Sequence, residues 1–440
     1  MRGNGILQVI LVWVVKLSGV SNLILTSSAH LIRLASGLLL IKLIAVYLGP
    51  DGLGKLGQFL SFATILTLIA GGGITNGVIK YVAEYKNETV KLVDFLHAAI
   101  SYTIFCSLVV FVLCVVFSET LSSFIFLTPQ YYWVFVIIGL AQIGYAFVNF
   151  TVGVVCGLRQ TRNYAFVQVI GGIIALPIVF LFVYFGGLWG GALAIISATF
   201  MNVIPAFFIY RKINIVTRLK IHFGNFSKFG GLPKYSLMLI CSAIAFPVVE
   251  MIIRQWLIEH SSFHTAGVWQ GASKLSAAYL GFFSVFLAYV FVPQISEINS
   301  RNEIFKKVVK YLGVVASAFL IGATVLYWWR YYFIGLFFSE EFSELGEFLI
   351  YQLAGDFFKI CSYVIGFVGV AKATTKLYIA AEFIQASLFV CFVYFLNFST
   401  SALGTVMQGY AITYAVYFFV CCVSLYFYVS SNEFLRKLLG

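Results

Sequence analysis

Long apolar stretches recur along the chain, separated by short polar interruptions. They lie at 28–48, 57–77, 96–118, 131–157, 164–185, 188–209, 235–258, 267–292, 311–337, 347–370, 377–396 and 402–429. A bilayer core takes about 20 apolar residues per helix, so the pattern predicts about twelve transmembrane helices. The runs are continuous and far longer than the alternating segments of about ten residues that build a membrane β-barrel. The expected fold class is therefore an all-α integral membrane protein.

The longest polar interruption, "YRKINIVTRLKIHFGNFSKFGGLPKYS" at 210–236, carries six basic residues and no acid. It divides the apolar runs six and six. The expected organisation is an N-lobe over 28–209, a basic cytoplasmic connector over 210–234, a C-lobe over 235–430 and a tail over 431–440. Residues 1–27 hold an apolar run interrupted by Lys16, Ser18, Gly19, Ser21 and Asn22, and read as an interfacial extension or an over-long start. A weak internal echo accompanies the two halves. "GLGKLGQ" from Gly52 and "AGVWQGA" from Ala266 each open the second span of their half. Two six-span halves joined on the cytoplasmic side is a common transporter plan.

Composition agrees with the pattern: 61% of the 440 residues are hydrophobic and 10% charged, against about 25% charged in soluble domains. The formal net charge of +12 sits mostly in alternate loops. With the N-terminus inside, the inner loops and tail hold 18 of the 28 basic residues, from Lys86 and Lys91 to Arg436 and Lys437. The outer loops hold Lys55, Arg330 and the acids Glu340, Glu341 and Glu344. Basic loops face the cytoplasm, so both termini are placed there. Because topology accounts for the basic surplus, it does not point to nucleic acid as a partner. The eight cysteines lie in or beside apolar spans without metal-binding spacing, and no metal or cofactor is expected. The chain has no phosphate-binding G-x-x-x-x-G-K-[ST], no H-E-x-x-H and no outer loop large enough for a catalytic domain. A transporter is expected rather than an enzyme.

Charged residues inside the spans cost about 2.5–3.5 kcal/mol each at the bilayer centre and so mark candidate sites. They are Arg33, Lys42, Glu250, Arg254, Lys274, Asp356, Lys359 and Glu382, with Lys80 near an inner end. The bases suit a phosphate-bearing anion, while Asp356, Glu382 and Glu250 are candidates for ion coupling. Structural alternatives stand beside each. Asp356 and Lys359 (i, i+3) and Glu250 and Arg254 (i, i+4) have the spacing of helix-face pairs. Arg33, Lys42 and Lys274 can snorkel to an interface. "GGG" at 71–73 reads as close helix packing or as a hinge, and Trp269 and Tyr279 as stackers for sugar rings.

Four blocks carry a family resemblance. "LGPDGLGKLGQFLSFATILTLIAGGGITNGVIKYVAEY" (48–85), "GVWQGASKLSAAYL" (267–280), "YQLAGDFFKICSYVIGFVGVAKA" (351–373) and "YIAAEFIQ" (378–385) resemble the Wzx flippases. These belong to the multidrug/oligosaccharidyl-lipid/polysaccharide exporter superfamily, and the likeness extends over about 28–430. It is strongest to members that handle the enterobacterial common antigen unit. The resemblance implies two six-helix lobes forming a V around a basic cavity in the bacterial inner membrane. It implies ion-coupled, alternating-access movement of undecaprenyl-pyrophosphate-linked oligosaccharide, either an O-antigen or a common-antigen unit, by a monomer that can contact a polymerase and a chain-length regulator. Arg33, Lys42, Asn76, Lys80, Arg254, Asp356, Lys359, Lys372 and Glu382 match the family by residue type. Leu60 and Ala277 depart, standing where the related sequence has an arginine and an aspartate, and Lys274 replaces a small polar residue. The alternatives are a membrane-embedded glycan polymerase or ligase, and a multidrug exporter of the same superfamily.

Overall fold

Two glycines with left-handed backbone turn what would be impossibly long helices into membrane-sized ones. In the computed structural model, α1 (Asn4–Ile69) is broken at Gly49 (φ 64°), and α6 (Thr161–Phe200) at Gly187 (φ 54°). The apolar segment Leu31–Ile69 has 39 residues, about 58 Å as one helix at 1.5 Å per residue. That is twice the hydrocarbon thickness of about 30 Å. A side chain at positive φ costs about 1–2 kcal/mol, which explains glycine at both breaks. The structure describes residues 4–213, 231–372, 375–395 and 401–439, with side chains from 31 to 213, 244 to 372, 380 to 395 and 401 to 428. Most of the basic connector lies outside the described residues, as do the side chains of the N-terminal extension and the tail.

The remaining helices are α2 (Thr75–Tyr85), α3 (Thr89–Val116), α4 (Ser118–Phe126), α5 (Tyr132–Gly157), α7 (Val203–Lys212) and α8 (Gly231–His260). They continue with α9 (Phe263–Phe286), α10 (Val292–Ser296), α11 (Arg301–Trp328), α12 (Arg330–Phe337), α13 (Leu345–Ala371), α14 (Thr375–Phe395) and α15 (Ala402–Leu439). Among the described residues, eight segments are long and apolar enough to cross a membrane. Two of these contain the glycine breaks and make two crossings each. With α8 and α14 the tally reaches the twelve crossings expected, and no strand occurs among the described residues. The protein is a multi-pass, all-α membrane protein.

The chain forms two compact units, Met1–Leu40 with Ala63–Ile240, and Ile41–Phe62 with Cys241–Gly440. In the first, α2, α3, α5, α6 and α7 meet in a core of Ile74, Val78, Val82, Leu92, Phe95, Val154, Val167 and Ala206. The second span is interrupted here. Gly71, Gly72 and Gly73 all have positive φ, and Asn149 Nδ2 donates to the carbonyls of Thr67 (3.0 Å) and Ala70 (3.4 Å). Those carbonyls end a helix, so the amide supplies a partner that the broken ladder cannot. In the second unit, α13 packs against α9, α11, α14 and α15. Leu349, Leu353, Ile360 and Val364 of α13 are buried there, as are Val406, Met407 and Tyr414 of α15. A π-helical turn, Leu287–Phe291, joins α9 to α10, ahead of Pro293.

Candidate functional site

Pairs of polar residues three or four apart place two side chains on one helix face. In the second unit three helices contribute such pairs to one buried network. Gln58 and Ser61 come from α1 beyond its break, Glu250 and Arg254 from α8, and Gln270 and Lys274 from α9. Glu250 accepts from Lys274 Nζ at 3.3 Å on both carboxylate oxygens and from Ser61 Oγ at 3.1 Å. Arg254 is fully buried. Its Nη1 donates to Gln58 Oε1 at 3.0 Å and its Nη2 to Gln270 Oε1, while the Glu250 carboxylate stands 3.9 Å away. The guanidinium lies 5.7 Å from the Trp269 ring. Trp269, expected as a sugar stacker, is itself buried. Two bases thus share one acid, leaving this group a surplus positive charge in a water-poor setting.

One turn further along α9, the second group forms around α13. Asp356, fully buried, accepts from Ser276 Oγ (2.6 Å), from the Tyr279 hydroxyl and from the Tyr410 hydroxyl (2.7 Å). Gln352 Nε2 donates to Ser276 Oγ at 2.9 Å. Tyr279, the other expected stacker, is therefore engaged with the carboxylate. Lys359 does not pair with Asp356 directly. Its Nζ donates to the Tyr410 hydroxyl at 3.3 Å and sits 4.5 Å from the Tyr414 ring and 4.6 Å from that of Phe246. Such cation–π contacts hold a desolvated ammonium without neutralising it.

The other expected residues fall elsewhere. Glu382 is half-buried on α14 and accepts from Gln385 Nε2 at 2.5 Å. Lys42 is half-buried on α1 ahead of the Gly49 break. Arg33, Asn76 and Lys80 are exposed residues of the first unit, with Lys80 Nζ 5.2 Å from the Tyr81 ring. Lys372 Nζ donates to the Ile298 carbonyl at 2.6 Å. No group of three or more histidine, cysteine or acidic side chains that could hold a metal ion occurs among the described residues. Each buried charge has uncharged partners that stand outside the set of expected site residues. Gln58, Ser61, Gln270, Ser276, Gln352 and Tyr410 are those partners. Their signal was in plain view as polar residues at helical spacing within apolar spans.

Comparison with known proteins places this architecture. The model of the polysaccharide biosynthesis protein family matches residues 20–299. The chain is 31% identical over 399 residues to the Lipid III flippase of Escherichia coli (strain K12), covering 90% of this chain and 95% of that protein. The same figures hold for the Lipid III flippase of Shigella flexneri. Among solved structures, an inward-facing multidrug resistance MATE family transporter of the MOP superfamily matches with TM-score 0.76 at 14% identity, covering 92% of this chain and 95% of that chain. The Lipid II flippase MurJ in an inward closed conformation matches with TM-score 0.71 at 16% identity, covering 94% and 92%.

Proposed function

The chain belongs to the polysaccharide biosynthesis protein family, as a Wzx-type flippase and not an enzyme, and from that premise we propose that it flips undecaprenyl-pyrophosphate-linked oligosaccharide units from the inner to the outer leaflet of the bacterial inner membrane. The cargo is an O-antigen or enterobacterial common antigen unit. Both termini face the cytoplasm, and the protein works as a monomer that can contact a glycan polymerase and a chain-length regulator. The observation that carries the reading is the Glu250–Arg254–Lys274 group, in which two bases share one acid inside apolar helices. A pyrophosphate crossing hydrocarbon needs such a fixed, desolvated positive charge, because carrying bare charge into lipid is costly.

Within this reading Arg254 acts as the fixed charge, and Lys274 and Lys359 are the bases that turn toward the pyrophosphate. Arg33, Lys42, Asn76 and Lys80 are further contacts for the headgroup. Glu250, Asp356 and Glu382 carry ion coupling during alternating access. No bond is made or broken; the protein lowers a solvation barrier while the polyprenyl tail stays in lipid.

The test uses proteoliposomes holding a fluorescent undecaprenyl-pyrophosphate oligosaccharide, with and without an imposed proton or sodium gradient. An impermeant quencher reports headgroups that reach the opposite face. Gradient-dependent movement that falls at least tenfold in Arg254→Ala is the expected result. Movement of ethidium but not of the lipid would instead support the multidrug reading.

A further inference from the structure

Asp356 and Lys359 have the i, i+3 spacing that lets an acid and a base close into an ion pair, yet a tyrosine from another helix stands between them. Tyr410 of α15 donates to Asp356 Oδ1 at 2.7 Å and accepts from Lys359 Nζ at 3.3 Å. We propose that Tyr410 is a positioning residue that keeps Lys359 compensated by Asp356 without being captured by it. The inference rests on the flippase reading, in which Lys359 must be free to turn to a pyrophosphate.

The surroundings are built for that place. The Tyr410 ring packs against α13 where a glycine removes the obstacle: a Cβ at Gly355 would meet Tyr410 Cδ1 at 2.3 Å. Its other side is braced by Tyr414, with ring centroids 4.7 Å apart, and by Phe389 at 5.5 Å. Asp356 has two further hydroxyl donors, Ser276 and Tyr279, so the carboxylate is satisfied without the ammonium. Lys359 has the faces of Phe246 and Tyr414, so the ammonium is held without the carboxylate. Hydrogen-bond chains in a low-dielectric interior polarise along their length, and the hydroxyl thus transmits charge balance across a gap it also enforces. An anion arriving at Lys359 then has to displace aromatic faces and one long hydrogen bond, not a buried ion pair.

Tyr410→Phe keeps the ring and its seat and removes the bridge. The lysine then closes onto Asp356, and the probe must compete with a carboxylate. In the flipping assay with the fluorescent undecaprenyl-pyrophosphate oligosaccharide, the expected result is a KM raised about tenfold, or 1.4 kcal/mol, with turnover within twofold. Adding Asp356→Asn to Tyr410→Phe removes the captor; with no ion gradient imposed, so that the coupling role of Asp356 is not read, it should bring KM back toward the wild-type value, a rescue that a merely structural defect would not show. If the phenylalanine variant fails to fold, Gly355→Ala is the second variant. It displaces the ring with the hydroxyl intact and should raise KM in the same way. A wild-type KM in either folded variant, or a raised KM that Asp356→Asn does not restore, overturns the proposal. Lys359→Gln with an unchanged KM would instead remove the flippase role of this lysine, and the Tyr410 proposal would fall with it.

Discussion

Glu250 shows what a single buried charge requires in this protein. It has Lys274 on both oxygens and Ser61 on one, with Arg254 close by. Removing one member of a buried pair strands the other and costs roughly 3–5 kcal/mol, whereas replacing both by apolar or neutral groups is often nearly neutral. The Lys274 side chain keeps 24% exposure, so water softens its loss. Lys274→Met should therefore destabilise the protein by about 3 kcal/mol, the lower end of that range. Glu250→Gln combined with Lys274→Met should recover only part of it, because the buried Arg254 then keeps the Gln58 and Gln270 oxygens but has lost its acid. Thermal unfolding of the detergent-purified proteins measures both, and a double variant no more stable than Lys274→Met would show that the pair does not carry the energy. The same logic explains why Arg254 is surrounded by amide oxygens as well as an acid. A guanidinium has five donors, and one carboxylate at 3.9 Å cannot satisfy them.

Between elements, the tightest contact in the second unit is backbone on backbone. A Cβ built at Gly267 of α9 would lie 1.9 Å from the Pro50 carbonyl oxygen and 2.9 Å from Gly54 N. One built at Gly54 would lie 2.0 Å from the Phe263 carbonyl oxygen. The start of the second span and the start of α9 therefore cross with no side chain between them, as small residues permit inside membranes. Gly267→Val is expected to abolish the monodisperse folded protein on size-exclusion chromatography. Gly366→Ala, on α13 with open space around its Cβ, should be neutral or stabilising by under about 1 kcal/mol. Indistinguishable behaviour of the two variants would mean that this crossing is not needed. The segment 41–62 also supplies Gln58 and Ser61 to the charged network, so the crossing and the site share one support.

At the scale of the whole molecule, orientation follows from where the bases stand. Lys306, Lys307 and Lys310 lie on one side of α11, and Glu340, Glu341 and Glu344 follow its other end. Loops rich in lysine and arginine stay cytoplasmic. Green fluorescent protein fused after residue 440 should therefore fluoresce, and alkaline phosphatase fused there should be inactive. The phosphatase fused after residue 340 should be active. Opposite signals at both positions would invert the proposed topology, and with it the direction of transport.

Length and hydropathy alone determined the class of fold and the number of crossings, because lipid leaves a spanning chain no choice but to satisfy its backbone within each helix. They also marked Glu250, Arg254, Lys274, Asp356 and Lys359, since a charge in an apolar run is conspicuous whatever surrounds it. The breaks at Gly49 and Gly187 coincide with the gaps between runs for the same reason. What remained open was partnership. Spacing of three allows Asp356 and Lys359 to pair, but allows equally that a residue 51 positions away comes between them, as Tyr410 does. Spacing of four let Glu250 answer Arg254, yet its nearest cation is Lys274 from the next helix. The glycines of the two echoed motifs, Gly54 and Gly267, looked like matching marks in separate halves, and folding sets one against the other. Periodicity along a helix is local and readable from the chain, whereas the choice among competing buried partners is made by helix crossings between segments distant in sequence, and only the tertiary structure decides those.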